Sequence, residues 1–172
     1  MATDKISKKD QQYITDLQSG NFGKITSALT QLEEDGSIAV LPAIIELLNS
    51  TVDDDITKRA YKLLCELKQT TSVPIIIEAI MNKEYASIQE MLLRACWENG
   101  LDYSKYLPTF VDIVIHGSFM NAFEAFTVIE NMEQAIDEDI ANEMASILSN
   151  ALNSVSTEKE SLIKDLIQQF NP

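Results

Sequence analysis

The chain has 172 residues, 45% hydrophobic and 23% charged, with 27 acidic against 13 basic side chains and a single histidine. That balance is globular rather than disordered, and five glycines with four prolines are too few for a turn-dense β-sandwich. A net charge of −14 argues against nucleic acid and against an anionic membrane as partners, since both need clustered cations.

In chain order, the opening MATDKISKKDQQ has no apolar signal core. No later stretch approaches the roughly 20 apolar residues that cross a bilayer. The expected location is cytoplasmic, with Cys65 and Cys96 as reduced thiols inside apolar periodic segments. Two distant cysteines and one histidine fall short of a zinc site, and no metal or cofactor is expected.

Residues 7–19 read as an amphipathic helix. Beyond it three segments align without gaps: Leu41-Pro-Ala-Ile-Ile-Glu-Leu-Leu48, Val73-Pro-Ile-Ile-Ile-Glu-Ala-Ile80 and Leu107-Pro-Thr-Phe-Val-Asp-Ile-Val114. Their prolines, Pro42, Pro74 and Pro108, lie 32 and 34 residues apart. Upstream of each lies another apolar-periodic segment, opening at Ile25, Ile56 and Ile88. The period within each segment is helical: Leu41, Ile44, Ile45 and Leu48 share one face, as do Ile25, Leu29 and Leu32. Proline near a helix start removes an N–H that has no intrahelical partner to lose. Asp53 to Asp55 suit a helix N-terminus, and Ser87 with Glu90 and Thr157 with Glu160 read as capping boxes. Phe110 to His116 is rich in β-branched residues, but its register matches two helical sister segments and predicts a helix. A fourth unit without the proline is expected from Phe119 to about Asn153. A last amphipathic helix follows over 157–170, with His116 and Gly117 closing the third unit's second helix.

Paired helices recurring at this spacing predict an all-α fold, a right-handed α-solenoid (α-α superhelix) of about four hairpins and about ten helices in a single domain. The expected division is a cap helix over 1–21, repeats over 22–50, 51–83, 84–117 and 118–156, and a second cap over 157–172. The Leu-Pro-x-Ile-Ile-Glu-Leu-Leu segment at 41–48 follows a Gly36-Ser37 turn and precedes Asp54, Asp55, Ile56 and Ala60. In this the chain resembles the HEAT repeat family, best over 22–117. The stretches Ala95–Tyr103 and Phe123–Glu130 are similar to small bacterial members. The resemblance implies a scaffold or adaptor that binds its partner along a concave face of second helices.

Glu46, Glu78 and Asp112 fall in one repeat column, and stacking would align them as a ladder of carboxylates. Residues 118–156 hold seven acidic and no basic side chains: Glu124, Glu130, Glu133, Asp137, Glu138, Asp139 and Glu143. Such a field steers cationic partners, whereas its ordinary alternative is a solvated, solubilising surface. Trp97, Tyr103 and Tyr106 flank the Asn99-Gly100 turn as candidate interface anchors or as turn packing. No motif of nucleophilic or phosphate chemistry is present. The expected function is therefore a non-catalytic interaction scaffold for a protein or peptide of basic character. The alternatives are a chromophore-lyase-type enzyme, which needs a desolvated carboxylate such as Glu98 or Asp102 beside Trp97, and a self-associating structural subunit.

Overall fold

The computed structural model describes residues 6–133 and 136–171. Among them the regular structure is all helical, with ten α-helices, short 3-10 turns and no strand. The chain divides into two compact units, residues 1–88 and 89–172.

The proline column has one local structure. A three-residue 3-10 turn (Ile38–Val40, Thr70–Ser72 and Ser104–Tyr106) leads into α3 (Leu41–Ser50), α5 (Val73–Met81) and α7 (Leu107–His116). The N–H of the first helical residue donates back to the carbonyl of Ile38, Thr70 or Ser104. Each proline sits in the first turn, where its ring presets φ and its missing donor leaves no carbonyl unsatisfied. Phe110 to His116 is thus helical despite its β-branched content, because burial of Phe110, Val111, Ile113, Val114 and Ile115 outweighs a weak local preference.

In the first unit α1 (Lys8–Leu17) and α2 (Phe22–Asp35) precede α3, and α4 (Asp54–Cys65) precedes α5. α2 packs on α4, and α3 on α5, so first helices neighbour first helices and second neighbour second. Ile25, Leu29 and Leu32 of α2 are buried, with Leu41, Ile44, Ile45 and Leu48 of α3 and Ala60 and Leu64 of α4. Each large aliphatic side chain buried this way contributes about 1.5–3 kcal/mol. α1 is fastened by polar contacts: Tyr13 Oη donates to Asp35 at 2.7 Å and Ser37 Oγ to Asp10 at 2.7 Å. Ser7 and Asp10 form the capping box of that helix.

The second unit holds α6 (Gln89–Asn99), α7, α8 (Phe119–Glu130), α9 (Glu138–Ala151) and α10 (Thr157–Phe170). α8 packs on both α6 and α7, and α10 closes over α7, α8 and α9 with Leu162, Ile163, Leu166 and Phe170 buried. α7 turns into α8 at Gly117, where a Cβ would stand 2.6 Å from the carbonyl oxygen of Ile113, so only glycine fits.

Asp53 caps α4 as the sequence predicts, accepting from the amides of Asp55 and Ile56. The two other capping readings are corrected. Ser156, not Thr157, precedes α10, and Ser87 lies in the 3-10 segment Lys83–Ile88 with its hydroxyl donating to Asn49 at 2.8 Å. His116 ends α7 as expected, but its imidazole lies 3.6 Å from Asp112, and the carbonyl of Ile115 is taken instead by Lys159 of α10.

Candidate functional site

In the first unit, where α3, α5 and the segment Lys83–Ile88 meet, a cleft of about 240 Å³ opens. Pro42, Ile45, Ile75 and Ala79 line it with apolar surface, and Glu78, Asn82 and Tyr85 supply its polar lining. The helical period explains the floor: Pro42 and Ile45 are one turn apart on α3, and Ile75 and Ala79 one turn apart on α5. Asn82 terminates α5 in an extended conformation and accepts the amide of Glu84 at 3.0 Å, which turns the chain back toward α3. Two contacts then pin that segment to α3, Tyr85 Oη donating to Glu46 Oε2 at 3.0 Å and Ser87 to Asn49.

Glu46 and Glu78, two members of the expected ladder, therefore come together at this cleft, one through Tyr85 and one directly. Both are exposed. Burial first, then the hydrogen bond to Glu46 and the fields of Glu46, Glu84 and Glu78, push the Tyr85 hydroxyl above its ordinary pKa. Among the described residues no Lys or Arg lies within ion-pair distance of Glu46, Glu78 or Glu84. Asp112, the third member, is exposed on α7 beside His116 in the second unit. A wider depression of about 500 Å³ lies over Leu17, Ile25, Leu47 and Ile56, and its one charged lining residue, Asp53, is already committed to capping α4.

In the second unit the acidic residues separate into two kinds. Glu130, Glu133, Asp137, Glu138, Asp139 and Glu143 are exposed. Asp137 also caps α9, accepting from the amides of Asp139 and Ile140. Glu124 departs from the expected surface stripe: it is 2% exposed. Arg94 of α6 donates to its Oε1 from Nε at 3.0 Å and Nη2 at 2.6 Å, and Trp97 Nε1 donates to Oε2 at 2.8 Å. A carboxylate leaves water only when its oxygens are satisfied, and here both are.

The aromatic trio separates likewise. Tyr103 is 1% exposed, packs edge-on against Phe110 at 5.9 Å between centroids and accepts from Asn99 Nδ2 at 3.1 Å, so it is core and no surface anchor. Trp97 and Tyr106 are half-buried. Glu98 and Asp102 are exposed, and the desolvated carboxylate beside Trp97 is Glu124. Burial pushes the Cys96 thiol up to about 12, so it stays protonated and inert. Cys65 is a thiol of intermediate exposure, outside any disulfide.

Sequence reasoning missed Tyr85, Asn82 and Arg94. Arg94 shares its helix position with Arg59, a hint at a structural role, but nothing in the pattern aims Tyr85 at Glu46 across 39 residues. Among the described residues no group of three His, Cys, Asp or Glu converges to hold a metal ion, and no helix is long and apolar enough to cross a membrane. Comparison with protein-family models, with curated proteins and with solved structures finds no match in any of the three.

Proposed function

We propose that the protein is a non-catalytic cytoplasmic scaffold of HEAT-like hairpins, continuing as a right-handed α-solenoid, that binds a basic protein or peptide on the concave face of its second helices and through its acidic fourth repeat. The solenoid is supported by the shared 3-10 turn and proline entry of α3, α5 and α7, and by first-on-first and second-on-second helix packing inside the first unit. The observation that carries the binding reading is the unpaired charge: six exposed carboxylates from Glu130 to Glu143 with no cation within ion-pair distance among the described residues. Unneutralised charge of one sign accelerates encounter with the opposite sign and does so most strongly at low ionic strength.

The test is a binding titration against a panel of basic and acidic peptides over a range of salt. Binding of the basic peptides alone, falling steeply with salt and weakened about tenfold by the charge reversal Glu138→Lys, Asp139→Lys, Glu143→Lys, is expected. Binding indifferent to both salt and reversal, or none at low salt, overturns the reading. Asp137 is left intact because it caps α9.

A further inference from the structure

The cleft of the first unit has a chemical preference that net charge alone does not specify. Glu78 can only accept hydrogen bonds. Tyr85 gives its proton to Glu46, so its oxygen presents lone pairs to anything entering from the open side. The floor beneath is the apolar surface of Pro42, Ile45, Ile75 and Ala79. Because the Lys83–Ile88 segment is pinned to α3 at Tyr85 and Ser87, the recess is held open before anything binds.

Ligand chemistries can be weighed against these features. An anion meets the carboxylates of Glu46, Glu78 and Glu84, none of which has a Lys or Arg within ion-pair distance among the described residues. A purely apolar side chain would cover the floor but strip water from Glu78 without replacing it. A volume of about 240 Å³ lies below the ~300–1,000 Å³ of sites that enclose a whole small molecule, and suits one long side chain. Such a side chain needs a methylene stem for the floor and a donor-only cation for the rim. Guanidinium fits better than ammonium: it is planar, weakly hydrated, stacks on aromatic rings and still donates in its own plane.

We propose that this cleft receives an arginine side chain from a peptide partner, its stem on Pro42, Ile45, Ile75 and Ala79 and its guanidinium between the Glu78 carboxylate and the Tyr85 oxygen. The proposal rests on the scaffold reading and supplies it with a specific recognition element. A phenol is protonated through the neutral range, so the Tyr85 hydroxyl stays bonded to Glu46 there, and its raised pKa extends this into the alkaline range.

The experiment is an amide chemical-shift titration of the full chain at low ionic strength with a capped Gly-Arg-Gly tripeptide. The control is the same peptide with citrulline, the neutral isostere of arginine. Shifts at Ile45, Ile75, Ala79, Asn82 and Tyr85 are expected, with citrulline at least about fivefold weaker and Glu78→Gln lowering the arginine peptide's affinity by a similar factor. Glu78 is exposed on α5, so that variant keeps the fold, and Glu46→Gln, which retains an acceptor for Tyr85, serves as a second. Citrulline binding as well as arginine, no response to Glu78→Gln, or shifts confined to 137–143 each overturn the proposal. The last outcome leaves the scaffold reading standing. Absence of binding by this peptide and by the basic panel alike removes both.

Discussion

Arg59 and Arg94 stand at the same position of α4 and α6, yet their surroundings differ. Arg59 is half-buried against a partner that still reaches water, donating to Glu33 at 3.1 Å, to the carbonyl of Thr26 and to the hydroxyl of Thr30 on α2. Arg94 closes on Glu124, a carboxylate with almost no contact with water. The units that hold them differ in the same sense. Residues 1–88 carry nine basic and thirteen acidic side chains, net −4, and residues 89–172 carry four and fourteen, net −10. In the second unit, moreover, Arg94 is neutralised by the buried Glu124 and Lys159 is itself buried, leaving Lys105 and Lys164 as the cations not committed to a buried contact. Lys164 already pairs with Glu160 at 3.0 Å. Position in a repeat therefore does not decide what an ion pair does. Burial of the partner decides it, and inward use of cations leaves the outer surface more acidic than a residue count implies.

The sharpest way to break this comparison is to truncate both arginines. Arg94→Ala strands a buried carboxylate and is expected to destabilise the chain by about 3 kcal/mol, the lower end for a broken buried pair because Arg94 is itself 41% exposed. Arg59→Ala removes a half-buried pair but leaves Glu33 able to regain water, and should lose about 1 kcal/mol. Urea denaturation of the two variants measures the difference, and equal losses refute the distinction. Adding Glu124→Gln to Arg94→Ala should recover part of the loss, since the stranded group is then neutral.

Next in size is Lys159→Met. Its ammonium, 7% exposed, donates to the carbonyls of Ile115 and Gly117, tying α10 to the end of α7. About 1–3 kcal/mol should be lost when those carbonyls go unsatisfied. Burial holds this lysine below its ordinary pKa, so the unfolded chain binds the proton more readily than the folded one. That contribution to stability is fully present above the ordinary lysine pKa and is lost as pH falls through the folded value. The variant's unfolding free energy should lack that alkaline rise.

The helix caps compare the units on equal terms. Asp53→Ala and Asp137→Ala each remove a side chain that accepts two backbone amides, and each should cost about 1 kcal/mol by thermal unfolding. The smallest effect is confined to α1. Lys9 and then Tyr13 hold the Asp35 carboxyl below the usual carboxylate range. Its contribution is present above that range and is lost as pH falls through the lowered value. Amide exchange in α1 should quicken there before α2 to α5 respond, and Asp35→Asn should abolish the early phase.

Much of the helical architecture was legible. The 3.6-residue period of apolar side chains, the proline column and Asp53 mark helices that form for reasons local to each segment. Even the β-branched run of α7 was readable from its register with α3 and α5. The start of α10 was not, because Ser156 and Thr157 suit a helix start equally by residue type and only the backbone path places Ser156 ahead of the helix. The cleft itself was not legible: Glu78 lines it and Glu46 touches it only through Tyr85, which carries no signature in its own neighbourhood. Glu124 misled because a helical glutamate in an acidic stretch carries no mark of burial until Arg94 and Trp97, 30 and 27 residues earlier, are brought against it.

What the amino-acid order determined by itself is periodic and local: which segments are helical, where prolines open them, and the sign of the overall charge. What only tertiary packing decided is which of many similar carboxylates face water and which are neutralised. Helix propensity acts over a few residues, whereas desolvation of a charge depends on every side chain that surrounds it, however distant in the chain.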